Sequence, residues 1–161
     1  MELERAFDAA KAGRLPDSPV LDVRLSAGED SEMAPQGHLV LSVLVYAVPT
    51  ADAECWDQLG ANEDLLHRVK EVLSGVWPRF SEQCLGAQVL NPRDLAKEYG
   101  LPGGHLYHSE WALDQLWSFR PTGALARSRT LVDGLVLAGS GTHGGGGIRG
   151  TSAFLTVKQH T

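Results

Sequence analysis

A glycine-rich segment near the C-terminus constrains the fold of this chain more than any other feature. Four apolar residues at positions 135–138 run directly into a stretch, 139–150, that contains seven glycines. Apolar residues at helical spacing follow it: Ala153, Phe154 and Val157. This order predicts a strand, a glycine loop and a short helix. Glycine backbones approach an anion without a Cβ, and a helix N-terminus offers free N–H donors, so the arrangement is typical of a phosphate or cofactor cradle.

The loop matches a nucleotide-binding pattern that the rest of the chain does not support. Residues 139–144 satisfy G-x-G-x-x-G. In a Rossmann unit this fingerprint opens a βαβ segment of about 30 residues, with an acidic residue about 20 positions further on. No Asp or Glu follows Asp133 here, and the Gly-Lys-Ser/Thr of a P-loop is missing as well. The pattern therefore indicates a different kind of glycine loop.

Composition narrows the class of protein. The 161 residues are 43% hydrophobic and 21% charged, with a net charge of −6 and no basic stripe, so no nucleic-acid partner is expected. No apolar run is long enough to span a bilayer, and the N-terminus does not resemble a secretory signal. Cys55 and Cys84 are too far apart for a redox or zinc motif, and the six histidines are scattered. We expect no metal site and a cytoplasmic location.

Hydrophobic periodicity predicts both helices and strands. Helices are expected over 2–12, 62–76 and 92–99, and strands over 20–25, 38–47, 85–90 and 135–138. The segment 38–47 is apolar on both faces apart from Ser42, which is typical of a central strand covered on each side. The resulting fold class is α+β, a mixed sheet with covering helices.

Three blocks of the chain, in order, resemble one enzyme family. They are YGLPGGHLYH at 99–108, LDQLWSFRP at 113–121 and GLVLAGSGTHGGGG at 134–147. Together they are similar to the C-terminal part of FAD-dependent oxidoreductases related to phytoene desaturase and carotenoid isomerase. Within that superfamily they resemble most the group of pyridine nucleotide-disulfide oxidoreductase domain-containing proteins. The segments 37–42 and 91–95 agree with the same resemblance.

The resemblance implies a glutathione-reductase-like flavoprotein that lacks its N-terminal Rossmann unit. Residues 1–130 would form part of the substrate domain, and 131–161 would form the C-terminal strand, glycine loop and helix that contact FAD. The implied FAD-contacting residues are Gly139, Ser140, Gly141, Thr142, His143, Gly144, Gly145, Gly146, Gly147 and Ile148. The sequence departs from the family where proline usually stands at the position of Gly144 and a small or polar residue at that of Arg149.

The implied function is that of a C-terminal subunit in a split FAD-dependent oxidoreductase of the desaturase or dehydrogenase type. Such a subunit would share FAD with a second chain that carries the Rossmann unit, and the flavin would take hydride from a small-molecule or peptide substrate. His143 and His105 are the candidate catalytic residues, and His105, Tyr107 and Trp117 are candidate substrate contacts. A structural loop histidine remains an equal interpretation of His143. The alternative function is a non-catalytic binding or scaffold protein derived from a truncated flavoenzyme.

Overall fold

The computed structural model describes residues 1–26, 33–110, 112–147 and 149–160. These residues form two compact units, Met1–Arg93 and Asp94–Thr161. The division between a substrate domain, 1–130, and a FAD-contacting segment, 131–161, remains a prediction about function.

The described residues form a mixed α/β protein with five α-helices and one small sheet. The elements in chain order are α1 (Glu2–Lys11), β1 (Val20–Ser26), β2 (Val40–Tyr46), α2 (Ala61–Val76), α3 (Phe80–Gln83), α4 (Pro92–Tyr99) and α5 (Thr151–His160). Short 3₁₀ turns lie at Glu54–Asp57, Pro102–Gly104, Leu113–Gln115 and Trp117–Phe119. Among the described helices, none combines the length and apolarity required to cross a bilayer.

The sheet is smaller than the sequence predicts. Strand β1 pairs with β2 in an antiparallel register that runs from Val20 opposite Tyr46 to Ser26 opposite Val40. In the described part of the chain, β2 has no second neighbour, so the prediction of a central strand is wrong. The predicted strand at 85–90 is irregular backbone. One face of β2 is therefore half-buried, whereas Leu44 and Tyr46 on the other face are exposed to solvent.

Helix α2 and the 3₁₀ turn before it provide the core of the first unit. The buried residues are Cys55, Trp56, Ala61, Leu65 and Val69, and the inner face of the sheet packs on them through Leu21, Val43 and Val45. The Trp56 indole N–H donates to the backbone oxygen of Thr50 at 3.1 Å, so this large side chain is buried without an unsatisfied donor. The predicted amphipathic helix on a sheet is confirmed.

Two arginines of this unit form hydrogen bonds with the loops that precede β1 and α2. Arg68 on α2 donates to Asp64 and Asp17, both at 2.9 Å, and to the backbone oxygen of Pro16 at 3.1 Å. Arg93 donates to Asp57 and to the Ala51 backbone oxygen, which holds the segment before α2. Its hydrogen bond and positive charge lower the pKa of the Asp57 carboxyl. Most of these carboxylates are solvent-exposed, so the backbone contacts carry the positioning.

Truncation of the α2 core should destabilise the first unit. Leu65 is 5% exposed, and we expect Leu65→Ala to lower the free energy of unfolding by about 2–5 kcal/mol, because it removes buried methyl groups and leaves a cavity. Urea unfolding of the full chain, with hydrogen exchange measured over 61–76, reports the change. The control Leu59→Ala removes a fully exposed side chain and should shift stability by no more than about 0.5 kcal/mol. Equal effects of the two substitutions would contradict this packing.

Candidate functional site

The segment before the glycine loop is a hairpin end and not the predicted strand. Arg129 and Val136 form an isolated antiparallel bridge, and the Leu137 N–H donates to the Ser128 oxygen at 2.7 Å. The turn at 131–134 lies directly beside this bridge, and the glycine loop begins at Gly139. Between turn and loop there is room for only a few ladder bonds, so four apolar residues in a row do not become a regular strand.

Helix α5 follows the loop as predicted, but its polar face is buried and its apolar face is exposed. Its buried side chains are Ser152 and Thr156, each 5% exposed, whereas Phe154 and Val157 are more than half exposed. The Thr156 hydroxyl donates to the Leu137 backbone oxygen at 2.9 Å. The helix thus packs on the preceding backbone through hydroxyls. The i, i+4 spacing of the two hydroxyl residues was the available sequence signal for this packing.

A closed set of hydrogen bonds fixes the start of the loop. The Gly139 N–H donates to Ser152 Oγ at 3.0 Å, and the Thr142 hydroxyl donates to the Gly139 backbone oxygen at 2.9 Å. Thr142 Oγ1 and Ser152 Oγ also contact each other, so the Ser152 hydroxyl is the donor of that pair. Because Thr142 and Ser152 are both buried, this cycle holds the loop on the first turn of α5.

Two loop glycines are required by packing. A Cβ on Gly145 would lie 2.3 Å from the Ser140 backbone oxygen, which no side chain can tolerate. Gly144 has a φ of +76°, and a Cβ there would lie 2.8 Å from Leu155 Cδ1. Proline fixes φ near −65°, so it does not fit this left-handed position. The departure from the family pattern at Gly144 thus has a conformational cause.

Arg120 connects the loop to a second segment of the same unit. Its side chain is buried, at 4% exposure, and its Nε donates to the Ser140 backbone oxygen at 3.0 Å. The two Nη atoms donate to backbone oxygens of Tyr107, Ser109 and Glu110. Burial lowers the pKa of the guanidinium. No carboxylate in the described residues lies within ion-pair distance of it. Arg120 lies in the block 113–121 that carries the family resemblance, but sequence reasoning assigned it no role, because one arginine before a proline creates no periodic signal.

The candidate histidines lie in this second unit and make different contacts. His143 contacts the Trp117 backbone oxygen through Nδ1. His105 accepts the Tyr107 N–H at Nδ1, at 3.1 Å, and its ring centroid lies 5.9 Å from that of Tyr107. Burial, followed by the charge of Arg120, lowers the pKa of His105, and Glu110 opposes this shift.

The predicted substrate contacts show different degrees of exposure. Trp117 is 71% exposed and Tyr107 39%, so each presents ring surface to solvent. Their role in substrate binding stays a prediction. Ile148, the last of the predicted FAD contacts, lies outside the described residues. In the part of the chain that the structure describes, no cluster of His, Cys, Asp or Glu could hold a metal ion.

Comparison with known proteins finds relatives at the level of sequence. No protein-family model matches the chain, and no solved structure matches it. The chain is 34% identical over 152 residues to pyridine nucleotide-disulfide oxidoreductase domain-containing protein 2 of Rattus norvegicus and 32% identical to the Mus musculus protein of that name. Each alignment covers 93% of this chain and 26% of the relative. The chain is thus homologous to about a quarter of a pyridine nucleotide-disulfide oxidoreductase domain-containing protein.

Proposed function

We propose that this chain provides the flavin-contacting loop of an FAD-dependent oxidoreductase. One observation carries the proposal: the backbone N–H groups of Gly141, Gly144, Gly146 and Gly147 donate to no acceptor among the described residues. A rigid loop that presents several free amides is suited to the polar edge of a bound anion or heterocycle. The homology to a pyridine nucleotide-disulfide oxidoreductase domain-containing protein supports FAD as that group.

The electrostatics of the second unit fit a cofactor that gains negative charge. Asp133 is the only acidic residue after Asp114, whereas Arg120, Arg127, Arg129, Arg149 and Lys158 are basic. The buried Arg120 guanidinium contacts the loop directly through Ser140. Helix α5 begins at Thr151, so the positive end of its dipole lies next to the same loop. These groups would stabilise negative charge on a reduced flavin more than on an oxidised one, which favours its reduction.

The proposed reaction is a dehydrogenation or desaturation. When bound, FAD would supply the hydride acceptor, and this chain would supply fixed charge, part of the cavity wall and exclusion of water. His105, Tyr107 and Trp117 are proposed to line the side where a small-molecule or peptide substrate approaches. The proposed location is the cytoplasm.

We further propose that a second chain carries the Rossmann unit for the ADP half of FAD. The present chain spans about a quarter of the length of its curated relatives. Each unit also exposes apolar side chains: Leu44 and Tyr46 in the first, Leu131 and Phe154 in the second. A large, apolar interface of the kind found in permanent complexes would cover such side chains.

Co-expression with a flavoprotein chain that carries a Rossmann unit tests the proposal. We expect the two chains to elute together from gel filtration with flavin absorbance near 450 nm, because the loop and the Rossmann unit would each hold one half of FAD. A colourless monomer that does not associate with the flavoprotein would contradict the split enzyme. That result would instead favour the non-catalytic binding or scaffold function.

A methyl group at the loop surface should weaken flavin retention without disrupting the fold. Gly147 has a φ of +70°, and a Cβ there would meet only the Arg149 side chain, at 3.9 Å. We expect Gly147→Ala in the complex to lower flavin affinity at least tenfold, because the methyl group stands beside free amides. The matched control is Gly134→Ala, with a φ of +77° and no atom within 4 Å of the new Cβ.

The control separates backbone strain from cofactor contact. Both substitutions place alanine in the left-handed region at a similar cost of about 1–2 kcal/mol. The two variants should therefore melt at similar temperatures while only Gly147→Ala loses flavin, measured as the ratio of absorbance at 450 and 280 nm. Full flavin retention by Gly147→Ala would show that the loop is not the contact.

A further inference from the structure

We propose that His143 is the proton acceptor of the dehydrogenation and that the Trp117 backbone carbonyl positions it. This inference rests on the proposed function. It adds the identity of the base and, through it, the class of substrate. His143 Nδ1 is hydrogen-bonded to the Trp117 backbone oxygen.

This hydrogen bond determines the tautomer of His143. A carbonyl oxygen can only accept, so Nδ1 must carry the hydrogen. In the neutral ring the lone pair then lies on Nε2, the other nitrogen. Nε2 has no hydrogen-bond partner among the described residues. The ring therefore presents a free proton acceptor within the glycine loop, between Thr142 and Gly144.

The carbonyl that orients the ring is itself held in place. The 3₁₀ turn Trp117–Phe119 begins at Trp117. The N–H of the next residue, Arg120, donates to the same Trp117 oxygen at 3.4 Å. The Arg120 guanidinium donates to the Ser140 oxygen, three residues before His143. One buried arginine thus connects the carbonyl that orients the imidazole with the loop that carries it. The Trp117 side chain is 71% exposed and takes no part in this positioning.

His105, in the same unit, shows the opposite arrangement. Its Nδ1 accepts the Tyr107 N–H, so the neutral ring carries its hydrogen on Nε2 and can donate there. Backbone groups contact Nδ1 in both histidines, but Nδ1 of His143 donates and Nδ1 of His105 accepts, so Nε2 is an acceptor in His143 and a donor in His105. His143 is suited to remove a proton, and His105 is suited to donate a hydrogen bond to a substrate oxygen or nitrogen.

The chemistry of an imidazole base indicates the substrate class. In the proposed step, a carbon–hydrogen bond of the substrate gives hydride to FAD, the oxidant. A neighbouring O–H or N–H bond breaks, its proton forms a bond with His143 Nε2, and its electron pair forms the new C=O or C=N bond. An imidazole is suited to protons on oxygen or nitrogen and is too weak a base for an unactivated C–H bond. The predicted substrate is an alcohol or an amine and not a hydrocarbon polyene.

The tautomers are measurable in the chain without cofactor or substrate. Long-range ¹H–¹⁵N correlation spectra of the ¹⁵N-labelled full chain at pH 8 distinguish a protonated from an unprotonated ring nitrogen. We expect His143 to carry its hydrogen on Nδ1 and His105 on Nε2. A His143 ring with its hydrogen on Nε2 would overturn the proposal, whatever the outcome for flavin binding.

Substitution tests the role of His143 in the assembled complex. His143→Asn keeps an amide N–H that can reach the Trp117 oxygen but removes the acceptor at Nε2. We expect this variant to retain flavin and to lower the anaerobic rate of flavin reduction by about 10²–10⁴-fold. The probes are a panel of primary alcohols, secondary alcohols and amines, with a linear C40 polyene for comparison. The control His67→Asn alters an exposed histidine on α2 and should leave the rate unchanged.

The outcomes separate this inference from the function on which it rests. An unchanged rate in His143→Asn, or reduction by the polyene alone, would overturn the assignment of the base while the flavin site stands. Loss of flavin from the wild-type complex would instead remove the proposed function. A reduced rate with full flavin retention, for alcohols or amines, supports both.

Discussion

The second unit depends on a buried guanidinium that is bound by backbone carbonyls. Arg120 collects oxygens from Tyr107, Ser109 and Glu110 on one side and from Ser140 on the other. A hydrogen bond from a charged donor contributes about 1.5–3 kcal/mol, and each carbonyl left unpaired in the interior costs a comparable amount. Few apolar side chains in this unit are buried, so these polar contacts have a large share in its shape. The positive charge of Arg120 also lies next to the loop that is proposed to contact the cofactor.

Two buried hydroxyl groups on α5 make further hydrogen bonds to the backbone of this unit. Ser152 and Thr156 face inward from α5, and each meets a backbone group of the segment that precedes the loop. A helix that packs through hydroxyls leaves its apolar side chains, Phe154 among them, on the outside. This inversion has a physical cause, since the backbone around a glycine loop has many polar groups to satisfy and few side chains to cover them. It also leaves an apolar surface available for a second chain.

Hydrophobic periodicity and turn residues correctly predicted the helices that depend on local sequence. They did not predict features that depend on contacts between residues distant in the sequence. The periodicity of α1 and α2 and the positive φ of Gly100 after α4 agree with the structure. The apolar run at 38–47 suggested a central strand, but burial of both its faces requires neighbours that periodicity cannot supply. For α5 the helix was predictable, whereas its orientation depended on hydrogen bonds to residues more than ten positions away. Arg120 belongs to a block that carries the family resemblance, but its contacts were not predictable, because its partners are backbone atoms.

The substitution of glycine for proline at position 144 changes how the loop is kept in shape. A proline would restrict the backbone by its ring, but the φ of +76° here excludes it, and glycine has the largest conformational freedom to lose on folding. The rigidity must therefore come from elsewhere. The Gly139–Thr142–Ser152 hydrogen-bond cycle and the Arg120–Ser140 contact restrict the backbone on the N-terminal side of position 144. A Cβ on Gly144 would lie 2.8 Å from Leu155 Cδ1 and 3.2 Å from Thr151 Cγ2, so a side chain there would require both neighbours to shift. Preorganisation of the free amides thus depends on tertiary contacts and not on a local ring, so the loop and the packing of α5 must form together.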